Sequence, residues 1–573
     1  LTQGKLTRLV PVENAAMAER SIIQWDKDDI DAVGLMKVDI LALGMLTALR
    51  RALDLRALVR GQRWDMADIP QEDPATYAMA CAADTVGVFQ IESRAQMSML
   101  PRLQPRTFYD LVVQVAIVRP GPIQGGMVHP YLRAREHQRR GQRRTVEYPA
   151  LEPALGRTLG VPIFQEQVMQ IAITAGGFSP GQADNLRRSM GAWKRRGGVH
   201  EFERPLVDGM VARGYRKDFA DAIFQQLLGF GEYGFPESHA YSFALLAYCS
   251  SWLKCHEPAC FLAALLNSQP MGFYGPSQLV QDARRHGVRV LPIDVLRSAW
   301  ECTLEDLPDP HMPGPEAARP QGPGPSVRAR LAQPAVRLGL CMVDQLPREV
   351  GQRLVQVRAD QAFESVEDLA VRTRLTAAHL QLLAFADALA PLSGHRRQQI
   401  WEAAAHHPAP PLMCGVPVHE QALALPAPAE GEEVVSDYAA TGLTLRRHPL
   451  ALLRPRLSRA GLRSALQLRA VADGSTVRAC GIVTVRQRPG SAEGTMFVSL
   501  EDETGPVNVI VWPVLVEECR EVLLRSRLLG VEGVWQCHPQ APGVRHLVAR
   551  SFRDFTPWLG RMAGALQRSR DFH

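Results

Sequence analysis

Residues 34–47 read GLMKVDILALGMLT, and one carboxylate, Asp39, stands there among Val38, Ile40, Leu41 and Leu43, flanked by Lys37 and Gly44. The run predicts a short buried strand passing into a helix. An ionised carboxylate on such a strand is strongly disfavoured without a partner, so a metal ion, a basic group or a raised pKa must accompany it. The competing reading places Asp39 at the strand edge or pairs it with Lys37 on the same face. Just upstream, Asp26, Asp28, Asp29 and Asp31 repel one another and read as a solvated loop. The chain opens on Leu1 inside a polar, partly extended segment, which points to a fragment.

At 573 residues the chain exceeds what one core organises, and its length suggests roughly three or four domains. Apolar residues at 46% and charged residues at 22% are ordinary for a globular protein. A net charge of +6 is modest, so a nucleic-acid reading must rest on where cations cluster. The ten cysteines form no C-x-x-C pair, which fits a reduced cytoplasmic protein better than a disulfide framework or a zinc site. No apolar run reaches the ~18 residues of a membrane span, and no signal peptide is visible.

From Leu49 to about Trp300 the pattern is mostly helical. A helix over Phe164–Ala175 stops at Gly176-Gly177, and the next takes Ser179 as N-cap and Pro180 as its first residue. That second helix carries Arg187 and Arg188 and leads to Lys194, Arg195 and Arg196, a set suited to phosphate oxygens or to a solvated basic turn. The run from Arg133 to Arg144 holds six arginines and predicts a mobile surface loop that touches the nucleic-acid backbone. His239–Leu253 reads as an aromatic-rich helix.

Pro/Gly-rich residues 307–334 read as a linker or insertion, and a second linker lies within 399–434. Between them, 336–401 reads as short paired helices leading past Gly351 to Gly394-His395-Arg396-Arg397. From Thr476 to Phe555 the period changes to that of strands: 477–485, 495–500, 507–512, 528–534 and 545–549, with a helix before the fourth. That order predicts an OB-fold, a small barrel that commonly binds single strands.

With these pieces in place, the chain resembles the C-terminal half of the bacterial C-family DNA polymerases, the DNA polymerase III alpha group. The likeness rests on KVDILALGMLT at 37–47, GVFQIESRAQM at 87–97, VRPGPIQGGMVHPYLR from Val118, GVPIFQEQVMQIA at 160–172, ADNLRRSMGAWK at 183–194 and the run from Gly229 to Asn267. FPESHA at 235–240, residues 267–290 and the ending Ser569-Arg570-Asp571-Phe572-His573 resemble its error-prone, damage-tolerant DnaE-like branch. The internal clamp-binding motif of replicative members is not found between His395 and Val471. Recruitment to the sliding clamp is therefore expected to be indirect, through accessory translesion proteins of a damage-response cassette.

The resemblance implies a multidomain α+β fold: the end of a palm (1–48), mostly helical fingers (49–305), a linker (306–335), a tandem helix-hairpin-helix module (336–401), a linker region (402–470), the OB-fold (471–560) and a tail (561–573). It implies attack of a primer 3′-hydroxyl on a deoxynucleoside triphosphate (dNTP), assisted by two Mg²⁺ ions, on primer-template DNA. Asp39 would be the third palm carboxylate, with the other two upstream of Leu1, so the fragment alone is expected not to polymerise. Arg119, Arg187, Arg188 and Lys194 would surround the triphosphate. Gln90, Ser93, Arg94, Gln165, Glu166 and His239 would complete the nucleotide pocket or order its walls, and Gln165 and Glu166 could equally cap or pack a helix. Arg396 and Arg397 would meet DNA beside a hairpin glycine. Phe497 and Trp512 would stack template bases, with barrel core as the competing reading for at least one. A non-catalytic DNA-binding scaffold and a replicative polymerase are the rival functions.

Overall fold

Helix Leu43–Arg60 begins where the opening stretch predicts one, and Met45, Ala48, Leu49, Ala52, Leu53 and Arg56 turn inward at helical spacing. Burying a leucine such as Leu49 contributes about 2 kcal/mol. The computed structural model describes residues 4–14, 21–25, 27–33, 43–119, 122, 123, 125–142, 147–191, 200–229, 236–306, 333–406, 423–488, 492, 494–538, 541–566 and 570–572. The predicted strand around Asp39 lies outside them.

The helices of the first half start on capping residues that the sequence displays. Ser93 opens Arg94–Leu103, and Thr107 with Asp110 forms a reciprocal capping box on Phe108–Ile117. Ser179 Oγ accepts from Gln182 N at 3.3 Å ahead of helix Pro180–Gly191, as predicted. Helix Gln165–Thr174 ends before Gly177, whose φ of +73° lets the chain turn. Two helices, Glu237–His256 and Pro258–Asn267, run through the middle of this unit, and eight residues of the second are buried. The arginine-rich run departs from expectation: Arg133 to Arg139 belong to helix Val128–Arg139, which Tyr131 and Ala134 anchor to the core.

The residues on either side of the Pro/Gly-rich segment belong to one small sheet. Thr303–Glu305 pairs antiparallel with Ala335–Arg337, Glu305 opposite Ala335, and Arg337 Nε reaches Glu305 at 2.8 Å. Both ends of the segment are thereby pinned to one another. The helices that follow, Arg348–Asp360, Val366–Thr373, Ala377–Phe385 and Arg396–Ala405, share a continuous core with the first half, running from Met45 to Leu443. Gly351 lies inside the first of these helices, where an added Cβ would stand 2.3 Å from Trp300, so it serves close packing and no hairpin turn. Much of the expected linker region is helical: Glu430–Thr441, Pro449–Arg459 and Ala465–Arg469.

The barrel is built as the alternation predicts. Strands β1 (Thr476–Gln487), β2 (Met496–Asp502), β3 (Gly505–Val511), β4 (Leu528–His538) and β5 (Ala541–Asp554) pair in the order β1-β2-β3-β5-β4, and β4 returns to β1 to close the sheet. β3 and β5 run parallel, with Leu547 opposite Val509, and the other pairs are antiparallel. Met496, Val498 and Leu500 fill the barrel with Val507, Val509 and Val511, which leaves Phe497, Ser499 and Asn508 on the alternate face. Helices Pro513–Glu518 and Arg520–Arg525 precede β4. The C-terminal segment read as a tail adds a short strand, Arg570–Phe572, parallel to β1. Among the described residues no helix is long and apolar enough to cross a membrane.

Candidate nucleotide and nucleic-acid sites

Three residues predicted from sequence converge from three elements. Gln90 sits in a loop with φ of +62°, Arg119 follows helix Phe108–Ile117, and His239 lies in the first turn of Glu237–His256. Arg119 Nη2 donates to Gln90 Oε1 at 2.8 Å, which orients a planar guanidinium suited to a phosphate. Burial, and then the charge of Arg119, lower the pKa of His239, so its imidazole is neutral at neutral pH. The ring packs 4.1 Å from Phe243, which stacks on Phe89 at 5.2 Å. Phe89 is held in turn by its N–H donating to Ser250 Oγ at 3.2 Å.

A second set borders this one at the start of the same helix. Glu166 Oε2 accepts from Glu237 N at 3.0 Å, so Glu166 does cap a helix, although not its own. Tyr109 Oη donates to Glu237 Oε1 at 2.9 Å, and the Arg157 guanidinium lies 4.0 Å over the Tyr109 ring while also meeting Glu237 and Tyr241. Tyr109, Arg157 and Tyr241 escaped the sequence reading because their partners come from distant segments.

The remaining nucleotide candidates scatter. Ser93 Oγ accepts from Gln96 N at 3.4 Å as an N-cap, and Gln165 is the half-buried first residue of its helix. Arg94 Nε donates to Ser499 Oγ of β2 at 2.8 Å, so its side chain ties the fingers to the barrel and leaves the Gln90–Arg119–His239 group. Arg187 is paired with Asp184 at 2.8 Å. Asp39 and Lys194 lie outside the described residues, as does the Arg188 side chain.

The nucleic-acid candidates also separate. Arg396 is 2% exposed and pairs with Glu433 and Asp437, so, against the expectation from sequence, its guanidinium is removed from any DNA surface. Arg397 stays partly exposed, bonded to Pro426 O at 2.9 Å and Glu432 at 3.0 Å. Gly394 just before them adopts φ +75° and ψ −129°, with nothing within 4 Å of the place a Cβ would occupy. Trp512 is 54% exposed and Phe497 half-buried, so neither is barrel core. Phe497 lines a cavity of about 880 Å³ between barrel and fingers, with Met97, Arg285, Asn508 and Arg545.

One group of described residues, Asp84, Asp282 and His286, is close enough together to hold a cation. Lys254 Nζ already stands 2.7 Å from Asp282 and 3.2 Å from Asp84. Burial would lower the Lys254 pKa, but the two carboxylates outweigh it and raise it. The ammonium thus supplies the cation, and the set does not fit the oxygen shell that Mg²⁺ takes. It is an ion-pair cluster around the buried Lys254 that joins helices Glu237–His256 and Pro276–Arg285 to the loop at Asp84.

Comparison with known proteins agrees with this layout. Residues 45–214 match the bacterial DNA polymerase III alpha subunit finger domain, 1–42 the bacterial DNA polymerase III alpha NTPase domain, and 287–399 a helix-hairpin-helix motif. Proteins named error-prone DNA polymerase are similar over the chain: 58% identical in Bordetella bronchiseptica and 57% in Burkholderia pseudomallei, each covering 100% of this chain and 52% of the relative. The Methylococcus capsulatus protein of that name is 55% identical, covering 99% and 53%. The chain therefore spans about half the length of these relatives. Among solved structures, an asparaginyl-tRNA synthetase from Pyrococcus horikoshii covers 14% of this chain and 20% of its own at 26% identity and a TM-score of 0.13, too slight a likeness to carry an argument. Finger helices, hairpin module and closed barrel occur in one chain in the order the motifs predict, and the chain matches bacterial DNA polymerase III alpha domains over 1–42 and 45–214 and is similar throughout to proteins named error-prone DNA polymerase.

Proposed function

We propose that this chain is the nucleotide- and DNA-handling part of an error-prone DNA-directed DNA polymerase that acts in damage-induced synthesis. The observation that carries the reading is the convergence of Gln90, Arg119 and a neutral His239 on an aromatic base of Phe89 and Phe243. Arg119 gives a fixed charge for a dNTP phosphate, and Gln90 fixes its orientation. The neutral imidazole of His239 can hydrogen-bond the nucleotide without adding a second positive charge. Asp39 has the oxygen donor chemistry that Mg²⁺ prefers, and bound Mg²⁺ supplies charge neutralisation at the transferring phosphoryl group. Gly394 leaves open backbone for DNA phosphates, and Trp512 and Phe497 offer faces for template bases. Primer-template DNA and dNTPs are the substrates, accessory translesion proteins the partners, the clamp an indirect one, and the cytoplasm the location.

The test is Mg²⁺-dependent single-nucleotide primer extension by the full-length enzyme beside its Asp39→Asn variant. Extension by the parent and its loss in the variant support the reading. A parent that binds primer-template yet extends nothing favours a DNA-binding scaffold instead.

A further inference from the structure

Arginines 102, 106, 133, 139 and 140 line one cleft of about 450 Å³ between the end of helix Arg94–Leu103 and helix Val128–Arg139, with a single carboxylate, Glu136, among them. Glu136 pairs with Arg140. No ion pair joins Arg102, Arg106, Arg133 or Arg139 to a described carboxylate, and Arg102 is half-buried all the same. Burial lowers the Arg102 pKa, the mark of a cation desolvated without a counter-ion. The walls are fixed by a different arginine. Arg135 pairs with Asp110 at 2.6 Å and donates to the carbonyls of Leu103 and Gln104, while Asp110 also accepts from Arg106 N and Thr107 N. Arg135 thus ties helix Val128–Arg139 both to Asp110 of helix Phe108–Ile117 and to the end of helix Arg94–Leu103, which fixes the walls that carry the arginines. Attraction to helix C-termini explains Arg102 and Arg139, which lie in last turns, but leaves Arg106 and Arg133 without a reason.

Resting on the polymerase reading, we infer that this cleft is a sequence-independent site for consecutive phosphodiesters of a nucleic-acid strand, separate from the Gln90–Arg119–His239 group. Guanidiniums match phosphate oxygens in pairs. Beside its five arginines and Glu136 the lining holds one ring, the His129 imidazole, one apolar side chain, Leu132, and no Phe, Tyr or Trp, so cations dominate it, which suits a backbone better than a free nucleotide or the apolar anchor of a protein partner.

The experiment measures primer-template affinity of the 573-residue chain by fluorescence anisotropy across a salt series. The variants are Arg133→Ala with Arg139→Ala, and the same pair changed to Lys. Both positions are exposed, and equal thermal midpoints confirm equal folding. The alanine pair should lower the slope of log affinity against log salt by about 2, alike on two unrelated sequences, and the lysine pair should restore most of it. DNA binding with an unchanged slope overturns this site and leaves the polymerase reading standing. Inorganic tripolyphosphate that erases the difference between parent and variant at equal phosphate would make it a polyphosphate site and overturn the strand. No binding by the parent chain sinks both readings.

Discussion

Two arginine-rich regions of this molecule look alike in sequence and end in opposite states. Arg396 and Arg446 are enclosed by Asp387, Glu433 and Asp437, with Arg446 Nη2 at 2.8 Å from Asp387 and 3.0 Å from Glu433. Arg102, Arg106, Arg133 and Arg139 face an open cleft without such carboxylates. In the first region Glu433 and Asp437 come from a helix over Glu430–Thr441, far along the chain from Arg396, and Asp387 comes from a nearby turn. Adjacent arginines therefore report little about nucleic acid until the surrounding carboxylates are known. A guanidinium matched by acids is an internal brace, and one left unmatched is a binding group.

The largest effect that would break this comparison is in stability. Arg396→Ala should cost roughly 3–5 kcal/mol, read as a fall in denaturation midpoint, because it strands buried carboxylates. Little loss of stability together with a loss of DNA affinity would return Arg396 to the DNA surface. Next comes Arg119→Ala, expected to lower kcat/KM for dNTP by about 10²-fold, near 2.7 kcal/mol, while primer-template affinity holds. An equal fall in DNA affinity would place Arg119 on the DNA instead. Trp512→Ala should change folding stability by less than about 0.5 kcal/mol and weaken binding to template overhangs by about 1 kcal/mol or more, since the ring is exposed. Unchanged overhang affinity would leave Trp512 a bystander.

The smallest effect is a pH dependence in the Lys254 cluster. Burial would lower the His286 pKa, but Asp84, 2.5 Å from Nε2, raises it above the ordinary histidine value. Its contribution is therefore full below about pH 6.5 and lost as pH rises through the elevated folded value, a tenfold gain in proton affinity being worth about 1.4 kcal/mol. Asp84 acts in the opposite direction. Burial would raise its pKa, but Lys254 and His286 hold it well below the usual carboxylate range, so its contribution is lost in acid. Thermal midpoints of the parent should decline from neutral to alkaline pH, and His286→Gln should flatten that decline. A parallel decline in both would remove His286 from the account.

Much of the barrel was legible because strand alternation is local. Val507, Val509 and Val511 declare one buried face, and the helix before β4 shows as a change of period. Caps such as Ser179 were legible for the same reason, since the bond closes within three residues. The short strand Arg570–Phe572 was not, because three residues carry no period and depend on β1 for pairing. Helix Val128–Arg139 was missed because its arginines hide the two inward residues, Tyr131 and Ala134. Of the nucleotide candidates, Gln90, Arg119 and His239 were brought together, whereas Arg94 was drawn to Ser499 by the docking of the barrel.

By itself, the sequence determined what is written in short-range patterns: the order of motifs, the helix caps, the barrel strands and the residue types able to meet phosphate. Only the tertiary structure decided which cations those would be. Charge on an arginine is intrinsic, but its availability depends on solvent and on acids brought from distant segments, and no local pattern encodes that balance.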